Sequence, residues 1–236
     1  MAADKPPGEL IGAGRTADVY ALGQDRVLRR YRVARDVQVE AEIMAHVAES
    51  GFPVPRVYDA DGTDLVMERL DGRDMLADLS SRPSRVRAHA RTLAGLHDRL
   101  HQVRAPAGLP ASGQAGDRVL HLDLHPANVM LTSRGPVVID WTSARAGAPG
   151  ADVAMAYLIM VSSDTDLVPW PARALAGVIR SILVRDFLAA VHDDPQPHIA
   201  ARARARAADR AIRPAEADRL LRIAEQAGRR ADAGAA

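Results

Sequence analysis

The sequence predicts an α+β protein, with a small antiparallel sheet and one helix in its first third and a mainly helical remainder. Two observations carry this. Up to residue 70, short strand-like runs are separated by glycine and aspartate turns. From Asp74 onward apolar residues recur at helical spacing, interrupted by one short β segment. Strands first and helices afterwards argue against a doubly wound parallel sheet, in which the two alternate.

In chain order, residues 9–11 and 18–22 flank the turn-rich Gly12-Ala13-Gly14-Arg15-Thr16, and Gly23-Gln24-Asp25 turns the chain into a third strand over 26–31. Asp36 is placed to cap a helix running to about Ser50 and stopping at Gly51, with Pro53 and Pro55 just beyond. Residues 56–59 and 65–70 form two further strands joined by Asp61-Gly62, a strong hairpin signal. Asp71-Gly72 breaks the pattern and sets the expected division into 1–70 and 71–236. Val86, Ala90, Leu93, Leu96 and Leu100 share one face of a helix over 84–103. A Pro-, Gly- and Ser-rich loop follows over 105–116, then a hairpin of 129–132 and 137–139 around Ser133-Arg134-Gly135. Helices are expected at 151–161, at 172–191 and over much of 199–227.

Composition narrows the function classes. The 236 residues are 47% hydrophobic, enough for a substantial core, yet only 3% aromatic, so aliphatic side chains and Met do most of the packing. A net charge of +1 gives no case for a nucleic-acid or anionic-membrane partner. With no cysteine, disulfides, thiolate nucleophiles and Cys-based metal sites are excluded. The N-terminus MAADKPPGEL lacks the apolar stretch of a signal peptide, and the longest apolar run, 153–161, is far short of the roughly 20 residues a bilayer span needs. A soluble, cytoplasmic protein is expected, with its oligomeric state open.

The chemistry concentrates in one segment. His121-Leu122-Asp123-Leu124-His125-Pro126-Ala127-Asn128 leads into a strand, and Asp140 ends the next one. A hairpin between them would bring Asn128 and Asp140 together at its open end. An amide oxygen and a carboxylate are hard ligands suited to Mg²⁺ carrying a nucleotide's phosphates. Asp123 is then available to orient a hydroxyl nucleophile and take its proton. A rival reading has His121, Asp123 and His125 alternating on a strand face around a transition metal. It leaves Asn128 and Asp140 without a role, and Pro126 would end the strand.

This segment resembles the aminoglycoside phosphotransferase and choline kinase-like small-molecule kinases, relatives of protein kinases. Their catalytic loop has the form H-x-D-L-H-x-x-N followed by I-D-W, matched by His121 to Asn128 and by Ile139-Asp140-Trp141. Downstream, Gly147-Ala148-Pro149-Gly150-Ala151-Asp152-Val153-Ala154 is similar to the family's G-x-P-x-x-D-L-A, in which Asp152 would brace the catalytic loop. Leu96-His97 matches a helix-ending L-H, and the buried face on which His97 falls favours a structural histidine. The resemblance implies a bilobal, protein-kinase-like fold, ATP and Mg²⁺ as cofactors, and transfer of the γ-phosphate to a hydroxyl of a small molecule such as an antibiotic, sugar or amino alcohol. Asp123 would be the catalytic base, and Asn128 and Asp140 the magnesium ligands. His125 would organise the loop or touch phosphate.

On the same resemblance, the amides at Gly12 and Gly14 approach phosphate oxygens, and the strand Val27-Leu28-Arg29-Arg30 presents Arg29 where relatives carry Lys. Arginine stays charged and binds phosphate in a fork, but is not equivalent to lysine. The helix after Asp36 has its apolar stripe at Val37, Ala41, Met44 and Val47. Glu40 lies on that stripe, and a carboxylate there needs a partner, so Glu40 is expected to pair with Arg29 while Glu42 faces solvent. Backbone groups from Glu68 to Leu70 would bind adenine, with Met67 at the back of the pocket. Arg202, Arg206 and Arg210, at helical spacing among acidic residues, read as a solvated Ala/Arg face. Two alternatives are a nucleotide-binding module without catalysis, motivated by Arg29, and a protein kinase. The latter is disfavoured by the short span between Asp140 and Asp152.

Overall fold

A computed structural model of the chain describes residues 8–14, 16–163, 170–209 and 212–234. In chain order the elements are β1 (Leu10–Ala13), β2 (Ala17–Leu22), β3 (Arg26–Tyr31), α1 (Gln38–Glu49), β4 (Val57–Asp61), β5 (Asp64–Glu68) and β6 (Arg73–Asp74). Then come α2 (Met75–Ser81), α3 (Val86–Leu100), β7 (Arg118–Leu120), β8 (Val129–Thr132), β9 (Gly135–Val138) and β10 (Arg145–Gly147). Four helices follow: α4 (Pro149–Ser162), α5 (Trp170–Ala190), α6 (Gln196–Ala207) and α7 (Pro214–Gly234). The chain divides into two compact units, one of residues up to Arg73 together with Val129–Thr142, the other of Asp74–Asn128 and Ser143–Ala236.

The first unit is built on a five-stranded antiparallel sheet in the order β1-β2-β3-β5-β4. The hairpin between β4 and β5 turns at Gly62-Thr63, one residue later than the sequence suggested, because Gly62 adopts φ +56° and Asp61 pairs with Asp64. The capping residue of α1 is Val37, one position later than expected, with no side-chain cap; Asp36 Oδ1 accepts the Gln38 N–H at 2.9 Å just ahead of the helix. The β8–β9 hairpin belongs to this unit, which a single division after Leu70 does not anticipate. Its attachment is specific. Arg134 reaches Glu68 at 2.7 Å, the Ser133 N–H donates to Asp71 at 3.2 Å, and the Val138 N–H donates to the Pro53 carbonyl at 2.9 Å. Trp141 packs edge-on against Phe52, with ring centroids 5.7 Å apart.

In the second unit α3 buries Val86, Ala90, Leu93, Leu96 and Leu100, the face its periodicity marks. His97 is fully buried there, as a structural histidine should be: Nδ1 lies 2.9 Å from the Leu93 carbonyl and the ring stacks edge-on with Phe187. The pair β7 and β10 and helix α2 were not expected. Strands of three residues are too short to show alternation, and α2 is announced only by its cap, Asp74 Oδ1 accepting the Ala77 N–H at 2.7 Å. The helical structure expected over much of 199–227 is present as two helices, α6 and α7, with Pro214 opening the second. Ala154, Leu158, Ile199, Ala203, Leu220 and Ala224 form a core where α4, α6 and α7 meet, and alanines let those helices approach closely.

The solvated Ala/Arg face is a correction. Arg202 is buried, donating from Nη2 to the Ser112 carbonyl at 2.7 Å, and half-buried Arg206 donates to Glu216 at 3.2 Å. Their helix is covered on the side where charge pattern alone reads solvent; Arg210 lies outside the described residues. Among the described residues no helix is long and apolar enough to cross a membrane.

Candidate active site

The first unit brings together Arg29, Glu40 and Asp140. Pleating puts Val27, Arg29 and Tyr31 on one face of β3. Arg29 Nη1 lies 3.2 Å from Glu40 Oε1, and Nη2 lies 2.8 Å from Asp140 Oδ1. The Tyr31 hydroxyl donates to the second Glu40 oxygen at 2.6 Å, so both oxygens of this 4%-exposed residue are held. The expected Arg29–Glu40 pair is present, and Glu42 is exposed. Burial pushes the Glu40 carboxyl above the usual carboxylate range, and the Arg29 charge and Tyr31 hydrogen bond oppose that only partly. Burial also works against the Arg29 charge, but the charges of Asp140 and Glu40 outweigh it and hold the guanidinium up. Burial, reinforced by the Glu40 charge, keeps Tyr31 a neutral phenol.

Asp140 has φ +66°, in the left-handed region that Asp tolerates better than most side chains, and the Thr142 hydroxyl donates to its Oδ1 at 3.0 Å. Gly12 sits opposite Val19 on the bulged β1–β2 ladder, and the Gly14 N–H donates to the Ala17 carbonyl at 2.8 Å. Neither glycine has positive φ, so backbone conformation does not require glycine at either position. At the end of β5, the Glu68 N–H is spent on the Arg56 carbonyl and the Arg69 N–H on the Asp25 carbonyl. The Leu70 N–H has no hydrogen-bond partner among the described residues.

The second unit brings together Asp123, His125 and Asn128. Asn128 Nδ2 donates to the Asp123 carbonyl at 2.8 Å and to its carboxylate Oδ2 at 2.9 Å. His125 Nε2 lies 3.7 Å from Asp123 Oδ1, and its Nδ1 accepts the Ala127 N–H at 3.3 Å. Buried Asp152 takes the backbone of the same loop, accepting the His121 N–H at 2.9 Å and the Leu122 N–H at 2.6 Å. Leu122 has φ +59°, which costs a branched side chain about 1–2 kcal/mol. Among the described non-glycine residues only Leu122 and Asp140 have positive φ; one precedes Asp123 and the other is itself a candidate. Such outliers cluster at functional sites. Sequence reading had no signal for either. It could have found Tyr31, two residues beyond Arg29 on the same strand face.

His121 to His125 do not form a strand, and no three His, Asp or Glu side chains among the described residues make a metal cage. That removes the transition-metal reading. With its Nδ2 turned to Asp123, Asn128 keeps an amide oxygen as its remaining polar end, and Asp140, in the first unit, carries a carboxylate; each is a hard oxygen donor of the kind magnesium takes.

Several solved structures share this architecture. One is the aminoglycoside phosphotransferase APH(2″)-IIa in a ternary complex with streptomycin and ATP. It has a TM-score of 0.60 and 12% identity over 91% of this chain and 90% of that one. An ethanolamine kinase of Plasmodium vivax gives 0.52 and 12%, covering 83% and 73%. An amicoumacin kinase in complex with AMP-PNP and Ca²⁺ gives 0.51 and 13%, covering 94% and 87%. Likeness at such identities shows the fold, which is α+β and protein-kinase-like. The phosphotransferase enzyme family model matches residues 8–118 and 105–190, and the chain belongs to that family. The streptomycin 6-kinase of Streptomyces griseus is 29% identical over 134 residues, 41% of this chain. The match covers 42% of that relative's length.

Proposed function

We propose that this chain transfers the γ-phosphate of ATP to a hydroxyl group of a small molecule. The observation that carries the reading is the setting of Asp123. Its carboxylate is oriented by Asn128 at 2.9 Å, on a loop whose backbone is tied to buried Asp152. A carboxylate so held can accept the acceptor hydroxyl's proton with little reorganisation. Phosphoryl transfer asks mainly for positioning and charge stabilisation, and the other residues serve those ends. Arg29, anchored by Glu40, supplies the cation for phosphate oxygens, which would replace Asp140 at its second nitrogen, and the amides at Gly12 and Gly14 approach the same groups. The Glu68 and Leu70 backbone binds adenine. His125 orders the loop through Ala127. Asn128 and Asp140 would hold Mg²⁺, which when bound offsets phosphate charge.

Streptomycin 6-kinase as a relative and ethanolamine kinase as a structural neighbour support a hydroxyl acceptor of modest size. ATP consumption with a panel of antibiotics, sugars and amino alcohols, beginning with streptomycin, tests the reading. Acceptor-dependent turnover by the wild type and not by Asp123→Asn supports it. Equal turnover by both overturns the role of Asp123, and no turnover with any acceptor counts against transfer. A second reading, nucleotide binding without transfer, is favoured by one contact: Arg29 already lies 2.8 Å from Asp140. Calorimetric MgATP binding by a chain with neither transfer nor slow ATP hydrolysis would select it.

A further inference from the structure

Asp152 has a third partner besides the two catalytic-loop amides. Its Oδ2 lies 3.2 Å from Nε2 of His101, the capping residue of α3, and both side chains are buried. The other ring nitrogen, Nδ1, lies 2.7 Å from Oδ2 of Asp193, on the turn between α5 and α6. A neutral imidazole has one N–H and one lone pair, so it cannot donate to both carboxylates. Both aspartates are held below the usual carboxylate range, Asp152 by hydrogen bonds and histidine charges that overcome its burial, Asp193 first by its bond to His101. The ring therefore carries both protons.

We propose that His101 is a positioning residue, a buried imidazolium that neutralises Asp152 and ties the α5–α6 turn to the backbone carrying Asp123. The link runs from Asp193 through His101 and Asp152 to the amides of His121 and Leu122, next to the candidate base. It offsets two costs at once: a carboxylate with no exposure, and the left-handed backbone of Leu122. Burial disfavours the imidazolium, but the two carboxylates outweigh it and push His101 up to about 9. Other ionisable groups face it as well, and the charges of His97 and His121 also act on Asp152. His97, on its own helix with ring centroids 5.8 Å away, is pushed down to about 4 by burial. His121 follows β7, His192 is committed to Asp98 of α3, and Arg202 of α6 acts on Asp152 without a hydrogen bond to it among the described residues.

The test has two arms, and only the kinetic one rests on the phosphotransferase reading. In the first, amide hydrogen exchange and a proton NMR titration of the imidazole compare the wild type with His101→Gln, which keeps one donor but cannot carry the charge. His121 and Leu122 amides should exchange about tenfold faster in the variant, with β2 and β3 amides unchanged. The wild-type His101 resonance should titrate near 9. In the second arm, kcat in the variant should fall about tenfold at unchanged nucleotide KM, and the alkaline limb of the wild-type pH profile should vanish. Unchanged exchange at His121 and Leu122, or titration near the ordinary value of 6.5, overturns the proposal. Should His101→Gln fail to fold, Asp193→Asn, on a turn with a third of the side chain exposed, decides. It should lower the His101 midpoint, and an unmoved midpoint overturns the link. A chain that transfers no phosphate leaves the exchange and titration results standing.

Discussion

Arg29 bridges Glu40 and Asp140, with one guanidinium nitrogen 3.2 Å from the first and the other 2.8 Å from the second. A lysine ammonium could approach both carboxylates, but it has no planar fork whose separate nitrogens fix their spacing. Removing either member of the buried Arg29–Glu40 pair strands a charge. Arg29→Ala and Glu40→Ala should each lower stability by about 3 kcal/mol, while the double variant loses less than the sum. Urea unfolding of the four proteins measures the coupling, and strict additivity would show that the pair contributes nothing.

Asp140 is the partner of Arg29 with the greater exposure, its side chain 31% accessible against 3% for Glu40. Asp140→Asn keeps the tolerance for φ +66° while removing the carboxylate charge. It should leave the fold intact and abolish the magnesium dependence of nucleotide binding. Calorimetry with ATP, with and without Mg²⁺, checks this; a magnesium dependence equal to the wild type's would remove Asp140 from the ligand set.

Asp123→Asn should reduce kcat by about 10²- to 10⁴-fold, with nucleotide affinity nearly unchanged, because it removes a proton acceptor and leaves the loop bonds to Asp152 in place. Asn128→Ala differs. It frees the Asp123 carboxylate and also deletes a proposed metal oxygen, so both kcat and the magnesium requirement should change. Steady-state kinetics at several magnesium concentrations separate the two.

The parts of the two residue clusters that were legible in the sequence are local. Asp123 to Asn128 fit in one loop, and Glu40 betrayed itself as a charge on a helical stripe of apolar residues. His101 did not, because its partners lie 51 and 92 residues away and no periodicity marks a histidine pinned between two aspartates. Arg202 was misread for a related reason: charge pattern cannot tell that the loop carrying Ser112 covers that face of α6. β7 and β10, three residues each, form only because their partners are present across the unit.

Two glycines should respond in opposite ways. A Cβ at Gly72 would sit 2.0 Å from the Leu131 carbonyl oxygen, at φ +90°, so Gly72→Ala should destabilise by more than about 2 kcal/mol. A Cβ at Gly12 would make ordinary contact with Val19 at 3.7 Å. Gly12→Ala should therefore change stability by less than about 0.5 kcal/mol and raise the nucleotide KM severalfold, because only a ligand approaching the backbone meets the added methyl. Thermal melts together with nucleotide titrations distinguish these outcomes, and an unchanged KM would leave the Gly12 loop a plain turn.

Stability should be greatest near pH 6.5, falling on either side through two histidines of opposite sign. His97 is pushed down from 6.5 to about 4 by burial, so the folded state binds its proton less well than the unfolded chain. Its contribution is present above 6.5 and is lost as pH falls towards 4, where the unfolded state takes up a proton that the fold excludes. His101 is raised from 6.5 to about 9, so its contribution is full below 6.5 and is lost as pH rises through about 9. Each arm is worth roughly 3 kcal/mol, since a tenfold change in proton affinity corresponds to about 1.4 kcal/mol. Urea midpoints from pH 4 to pH 10 should thus trace a dome. His101→Gln should flatten the alkaline side, and His97→Phe, if it packs against Phe187, should flatten the acid side. An alkaline fall of undiminished size in His101→Gln would assign it to another group.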